Sequence, residues 1–275
     1  MNIAVIIAAA GASRRYAESG GLRSKLDEDL GGKPVLQRSV ELFSKHDDVR
    51  FIVVAGPGDD AEFAEFKTRH GDRLGLLGAV LVKGGRNHRW ETVQAALRAI
   101  PGEAGGEPIT HIAVHDAARP AAPMELIERV FELGKHHPAV IPALEVGDTL
   151  KRGVRTDAAA RPADPLAAIL GAASNQEKTT VVQGTVDRAG LYAVQTPQVF
   201  EVSVIRAAYA QNDLTSTDDS SLVEKLFEAD DSGRKVVLAP GDARNIKITR
   251  AGDVALARAI MGVRGPEERP VHKRF

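Results

Sequence analysis

Apolar and polar positions alternate along the chain in two rhythms. Short apolar runs with few polar residues, at Ile3–Ile7, Phe51–Ala55, Ala79–Val82, His111–Val114 and Ala139–Ile141, read as strands buried on both faces. Between them, longer amphipathic stretches predict helices over Pro34–Lys45, Asp60–His70, Glu91–Ile100 and Pro123–His136. Strand and helix in this alternation predict an α/β fold: a mostly parallel twisted sheet, doubly wound, with helices on both faces. Right-handed crossovers then bring the loops after the strand C-termini to one edge, where ligands bind.

The rhythm fails once. Val154 to Gln183 is rich in Ala, Arg, Asp and Pro and shows no clean period. An irregular excursion of that length predicts an arm, a lid or a mobile loop. Alternation resumes with Leu191–Gln195 as a strand and Glu201–Gln211 and Leu222–Ala229 as helices. Lys235–Ala239 and Asn245–Ile248 follow as strands, then Ala251–Met261 as a last helix. Gly262–Phe275, polar with Pro and basic residues, predicts a flexible tail. No repeat and no linker divides the chain, so 1–261 is expected to be a single domain.

Composition narrows the function classes. In 275 residues, 36 Lys and Arg face 37 Asp and Glu, for a net charge of −1. That balance argues against a general nucleic-acid binder, so any anion site must be a local cluster. The chain has no cysteine, which removes disulfides, thiolate metal sites and a cysteine nucleophile. It shows neither a signal-like start nor an apolar stretch approaching the roughly 18 residues of a membrane span, so a cytoplasmic protein is expected.

The candidate chemistry starts at the first strand. Small residues follow it (Ala8, Ala9, Ala10, Gly11, Ala12, Ser13), then Arg14, Arg15 and, ten residues on, Lys25. Small residues let backbone amides approach a ligand closely, and a run of amides suits phosphate. A dinucleotide fingerprint keeps only its first glycine here, and no P-loop word occurs; a plain strand-to-loop connection with solvated arginines stays open. His115-Asp116-Ala117-Ala118-Arg119-Pro120 also follows a strand directly. Asp116 there could bind a metal-bridged or hydroxylated substrate, cap the next helix, or pair with Arg119.

Taken in order, the words of the chain resemble one family, the 2-C-methyl-D-erythritol 4-phosphate cytidylyltransferases of the non-mevalonate isoprenoid pathway. They are AAAG at Ala8–Gly11, Arg14-Arg15, Lys25, GGKPVL at Gly31–Leu36, Gly84-Gly85 through Thr92-Val93, HDAARP, DTLKR at 148–152, TVDR at Thr185–Arg188, QTPQ at 195–198, TDD at 217–219 and NIKIT at 245–249. The resemblance implies a Rossmann-like nucleotidyltransferase fold with a protruding β-arm, here 143–190, through which two subunits form a homodimer. It implies Mg²⁺-dependent transfer of a cytidylyl group from CTP to 2-C-methyl-D-erythritol 4-phosphate, giving 4-diphosphocytidyl-2-C-methyl-D-erythritol and pyrophosphate.

The resemblance also implies residue roles. Arg15, Lys25 and Lys247 would hold the triphosphate, and Ala9, Ala10, Gly11 and Ser13 would meet base and phosphates. Gly84, Gly85, Arg89 and Thr92 would serve the nucleotide. Asp116, Arg119, Thr149, Arg188 and Thr196 would serve the acceptor, with Thr149 and Arg188 entering the partner's site from the arm. Mg²⁺ would be held mainly by the CTP phosphates, with Asp116 as a minor ligand. The chain departs from the family at Ser13, where glycine is usual, and at Ser24-Lys25-Leu26, which lacks the usual neighbours of the lysine. The gap from Arg15 to Lys25 and the Arg86–Glu91 loop are both longer, and Arg86 stands where an acidic residue is common. Trp90, the sole tryptophan, is expected to anchor a loop rather than stack on a base. Competing readings are a cytidylyltransferase for another acceptor, such as ribitol 5-phosphate, and a non-catalytic nucleotide-binding homologue.

Overall fold

A computed structural model describes residues 1–11, 13–157, 178–231 and 233–265. Contacts divide the chain into two units, one formed by Met1–Leu144 with the segment from Val194 onward, the other by Glu145–Ala193.

The first unit is built on parallel strands β1 (Ile3–Ala8), β2 (Val49–Gly56), β3 (Ala79–Lys83) and β6 (His111–Asp116). Strand β1 pairs with both β2 and β6 in parallel, and β2 with β3. Two small strands, β4 (Glu103–Ala104) and β5 (Glu107–Pro108), pair with each other. Beyond β6 the order continues through β11 (Gln198–Glu201) to β7 (Ala139–Glu145). β11 runs antiparallel to both neighbours, and β12 (Val237–Pro240) lies parallel to β7. The expected mostly parallel sheet is present, with β11 running antiparallel inside it. β1 is the point where the winding reverses, because β2 lies on one side and β6 on the other. Ligands of such sheets bind beyond the C-termini of the strands at that reversal.

Side chains of β1 show why the strand has no polar face. Ile3, Val5 and Ile7 enter one core cluster, and Ala4 and Ile6 enter the other. The first cluster is roofed by α2 (Val35–Glu41), α3 (Asp60–Gly75), α5 (Met124–Gly134) and α8 (Gly252–Met261). The second is roofed by α4 (Arg89–Ala99), α6 (Val202–Ala208) and α7 (Asp219–Ala229). Between β1 and α2 lie a short helix, α1 (Arg14–Glu18), and a 3₁₀ turn over Lys25–Asp27.

Besides the small β4–β5 pair, which was not anticipated, the described chain departs from the sequence expectations in three places. Asn245–Ile248 is not a strand: Asn245 is buried and its side chain hydrogen-bonds Gln195 and the Thr196 carbonyl, while the Ile248 amide bonds to the Ala118 carbonyl. β11 was not anticipated, because the polar Gln195-Thr196-Pro197-Gln198 word hides a strand that is buried in the sheet over Gln198–Phe200. In the second unit, the span expected to be irregular has paired ends. There β8 (Leu150–Asp157) and β9 (Lys178–Val186) run antiparallel with a register shift at Arg152/Gly153, and the next strand, β10 (Tyr192–Val194), stands beside β7 in the main sheet. Period-2 alternation is weak in β8 and β9 because most of their residues are exposed on both faces. The middle of that excursion and the tail beyond Gly265 lie outside the described residues. Among the described residues no helix is long and apolar enough to cross a membrane.

Candidate active site

Four loops meet at the C-terminal edge of the sheet in the first unit. The loop after β1 carries Ala9, Ala10, Gly11 and Ser13 into a cleft of about 540 Å³, together with Arg14 and Arg15 from α1. Ala9 is tied back to the sheet, since its amide donates to the Ala55 carbonyl at 2.8 Å. Ser13 has φ +53°, the left-handed conformation that glycine takes without strain. The chain therefore keeps the turn that a glycine would make there.

Lys25 enters the same cleft from the 3₁₀ turn. Burial lowers its pKa below the ordinary lysine range, and repulsion from Lys247 adds to this. The turn is tied to α3 by Asp27, which accepts from His70 at 2.8 Å and also pairs with Arg69. The segment from Arg15 to Lys25 contains the buried Tyr16, whose hydroxyl bonds Glu28 and is pushed up to about 12 by burial.

The loop after β3 supplies Gly84 and Gly85. A side chain at Gly84 would strike the Gly56 carbonyl at 2.4 Å, and one at Gly85 would strike Glu91 at 2.2 Å, so both positions need glycine. The next turn is held by Glu91, whose Oε2 accepts from the amides of Arg86 (3.0 Å), Asn87 (2.9 Å) and His88 (3.3 Å). Thr92 is buried and its hydroxyl accepts from the Gly85 amide at 3.1 Å. Arg86 turns toward α3, donating to the Gly58 carbonyl at 3.2 Å and lying near Asp59 and Asp60. Trp90 packs against the second core cluster and stacks on His88 with centroids 5.9 Å apart, as expected of an anchor.

Asp116 ends β6 at the centre of the site. Its Oδ2 lies 2.9 Å from Lys247 Nζ and 3.4 Å from Arg119 Nε, and its Oδ1 lies 3.7 Å from Arg89 Nη2. Burial alone would raise its pKa, but these three cations outweigh it and hold the carboxyl well below the usual range. Asp116 pairs with Arg119, one of the options the sequence left open; it does not cap α5, which Pro123 precedes.

His115, behind Asp116, was not found by sequence reasoning, whereas its partners Thr196 and Arg119 were. His115 is fully buried and burial lowers its pKa to about 4, so it is neutral. Its Nε2 lies 3.0 Å from the Arg119 carbonyl and must donate to it. Nδ1 is then an acceptor, and the Thr196 hydroxyl donates to it at 3.2 Å while accepting from the Asp116 amide at 3.1 Å. Arg119 is further held by donation to the Asn245 carbonyl at 2.7 Å. The only signal in the sequence was that His115 adjoins Asp116.

A second cavity of about 420 Å³ is lined by Arg119, Thr196 and the start of α7. The two cavities share Arg89, Asp116 and Lys247 as a common wall. Among the described residues, the larger one presents Arg14, Arg15, Lys25, Arg86, Arg89 and Lys247 against a single carboxylate, Asp116. A chain of net charge −1 thus concentrates positive potential on one cleft. The structure brings together Arg15, Lys25, Lys247, Asp116, Arg119, Arg89, Thr92 and Thr196. Thr149 and Arg188 belong to the second unit, both exposed, with Arg188 donating to the Gly147 carbonyl.

Comparison with known proteins gives the same direction. A family model described as 2-C-methyl-D-erythritol 4-phosphate cytidylyltransferase matches residues 3–166 and 154–263. The chain is 36% identical over 261 residues to a protein of that name from Frankia casuarinae, covering 94% of this chain and 81% of the relative. It is 30% identical over 271 residues to one from Geobacillus kaustophilus, covering 97% and 100%. The crystal structure of the protein of the same name from Thermus thermophilus superposes with TM-score 0.64 at 28% identity, covering 96% of this chain and all of that one. With a match that runs through both units and whole-length likeness to these relatives, this chain belongs to the 2-C-methyl-D-erythritol 4-phosphate cytidylyltransferase family.

Proposed function

We propose that this chain transfers the cytidylyl group of CTP to 2-C-methyl-D-erythritol 4-phosphate, giving 4-diphosphocytidyl-2-C-methyl-D-erythritol and pyrophosphate. The observation that carries this reading is the pair of cavities with one shared wall of Arg89, Asp116 and Lys247. Two anionic reactants need adjoining sites and a charged boundary at which they meet.

The larger, cationic cavity takes the triphosphate, with Arg15, Lys25 and Lys247 on its oxygens. The Gly84-Gly85 turn and Thr92 face the base. The second cavity takes the acceptor, with Arg119 and Asp116 at its entrance. Thr196 orients Asp116 through its amide. An oxygen of the acceptor phosphate attacks the α-phosphorus; the new O–P bond forms as the α–β bridging bond breaks, and the electron pair leaves with pyrophosphate. A phosphate monoester has a second pKa near 6 and is already largely dianionic at neutral pH, so no general base is required. The catalytic work is to hold two polyanions together and to neutralise charge at phosphorus.

Mg²⁺ fits this arrangement in one way only. The described residues contain no group of three or more His, Cys, Asp or Glu able to cage a metal. Asp116 is an ionised carboxylate at the cleft, which suits an ion bound mainly by phosphate oxygens. When bound, the ion would supply further positive charge to the triphosphate. A homodimer through the arm, with Thr149 and Arg188 completing a partner's acceptor site, is part of the same proposal. Exposed Val154, Val181 and Val182 on the β8–β9 hairpin support it, since apolar residues on an exposed hairpin suit burial against a second copy.

The test is pyrophosphate release from CTP with Mg²⁺, comparing methylerythritol 4-phosphate with ribitol 5-phosphate. Turnover with the former is expected. Turnover only with ribitol 5-phosphate overturns the acceptor assignment, and none with either favours a nucleotide-binding protein without activity.

A further inference from the structure

Asp219 and Tyr209 have no part in the chemistry above, yet they fix a side chain on which both cavities depend. The Thr217-Asp218-Asp219 word divides its labour at the start of α7. Asp218 caps the helix, accepting from the Ser221 amide at 3.2 Å. Asp219 turns inward, is completely buried, and accepts at 2.6 Å from Arg89 Nη1 through Oδ2. Its other oxygen accepts from the Tyr209 hydroxyl at 2.5 Å, and Tyr209 is itself buried. The Arg89 guanidinium sits deep enough that burial opposes its charge, which Asp219 and then Asp116 restore.

The guanidinium is a rigid plane, so clamping one end sets the direction of the other. Arg89 Nη2 faces Asp116 Oδ1 at 3.7 Å, beyond hydrogen-bond reach. Lys247 and Arg119 already approach the other Asp116 oxygen more closely. Nη2 is thus presented at the wall between the cavities with donors left for an incoming anion. A guanidinium at that wall can touch the nucleotide from one side and the acceptor from the other. Were it free to swing, the buried Asp219 would lose its counter-charge, so the pair holds the arginine in place.

We propose that Asp219, braced by Tyr209, is a positioning residue that aims Arg89 at the junction where the two substrate phosphates meet, so that one guanidinium serves both. The proposal rests on the cytidylyltransferase reading and deepens it. A buried tie between α4 and α7 with no kinetic role is the competing account, and it predicts loss of thermal stability with turnover retained.

The experiment measures kcat and both KM values, well below each variant's Tm, for the wild-type chain, Asp219→Asn, Tyr209→Phe, Arg89→Lys and the Asp219→Asn/Arg89→Lys pair. Asp219→Asn keeps the shape and removes the charge. It should lower kcat by about tenfold or more, with a smaller loss in Tyr209→Phe. The paired variant should be no slower than Arg89→Lys alone, because a residue acting through Arg89 has nothing left to orient once the fork is gone. A kcat within about twofold of wild type in Asp219→Asn, or losses that multiply in the pair, overturns the proposal. If Asp219→Asn does not fold, Tyr209→Phe decides, and an unchanged kcat there overturns it. An inactive wild-type chain would instead remove the reaction itself, which separates the two failures.

Discussion

Lys25 and Lys247 reach one cleft from positions far apart in the chain, and both stand near Asp116. Replacing either with alanine should lower turnover on the order of 10²-fold or more, because in the proposed reading each holds a fixed charge against the triphosphate. Circular dichroism should stay near wild type for both, with Tm kept in Lys25→Ala and lowered in Lys247→Ala, which takes the nearest counter-charge from the buried Asp116; near-normal rates would take that lysine out of the mechanism. His115 gives a residue-scale prediction of a different kind. Unfolded, its imidazole takes a proton below about 6.5, whereas folded it stays neutral down to about 4. Between those values the unfolded chain binds more protons, so this contribution to stability should be intact above about pH 6.5 and fall as pH drops toward about 4. The amplitude is on the order of 3 kcal/mol. Denaturant titrations across that range check it, and His115→Asn, which cannot titrate, should flatten the slope.

At the scale of elements, the positions of the catalytic groups are set by short-range ties that a periodicity argument does not see. In the turn after Gly85, Glu91 at the third position of α4 gathers three amides. Glu91→Ala should free that turn, raising KM for CTP several-fold while KM for the acceptor stays put. A matched rise in both constants would show that the turn serves more than the nucleotide. The Lys25 turn is likewise fastened to α3 through Asp27 and His70. In both cases the helices were legible from their apolar spacing, with α3 and α4 found at their expected places. The turn conformations were not, because a carboxylate reaching several amides leaves no periodic mark. Asn245–Ile248 shows the opposite failure. Its apolar alternation suggested a strand, but Asn245 is buried to hold Gln195 and Thr196, and that polar tie decided the backbone.

For the whole molecule, the sheet order explains why distant words cooperate. β1 and β6 are neighbours, so the loop after the first strand and the His115-Asp116 pair emerge side by side. The proposed exchange of arms gives a prediction at this scale. Lys25→Ala and Arg188→Ala subunits, each inactive alone, should recover about a quarter of wild-type activity when mixed and allowed to exchange. One site in each hybrid dimer would then hold both intact side chains. No recovery, with hybrid dimers shown to form, would place Arg188 outside the partner's site.

Strand and helix types, the both-face burial of β1 and the family itself followed from the sequence alone, because hydrophobic spacing and ordered motifs are local properties of the chain. Only the tertiary structure decided that β11 enters the sheet between β6 and β7, that a neutral His115 stands behind Asp116, and that Asp219 meets Arg89. Those outcomes depend on burial and on charges brought together from distant parts of the polypeptide, and neither quantity exists until the chain has folded.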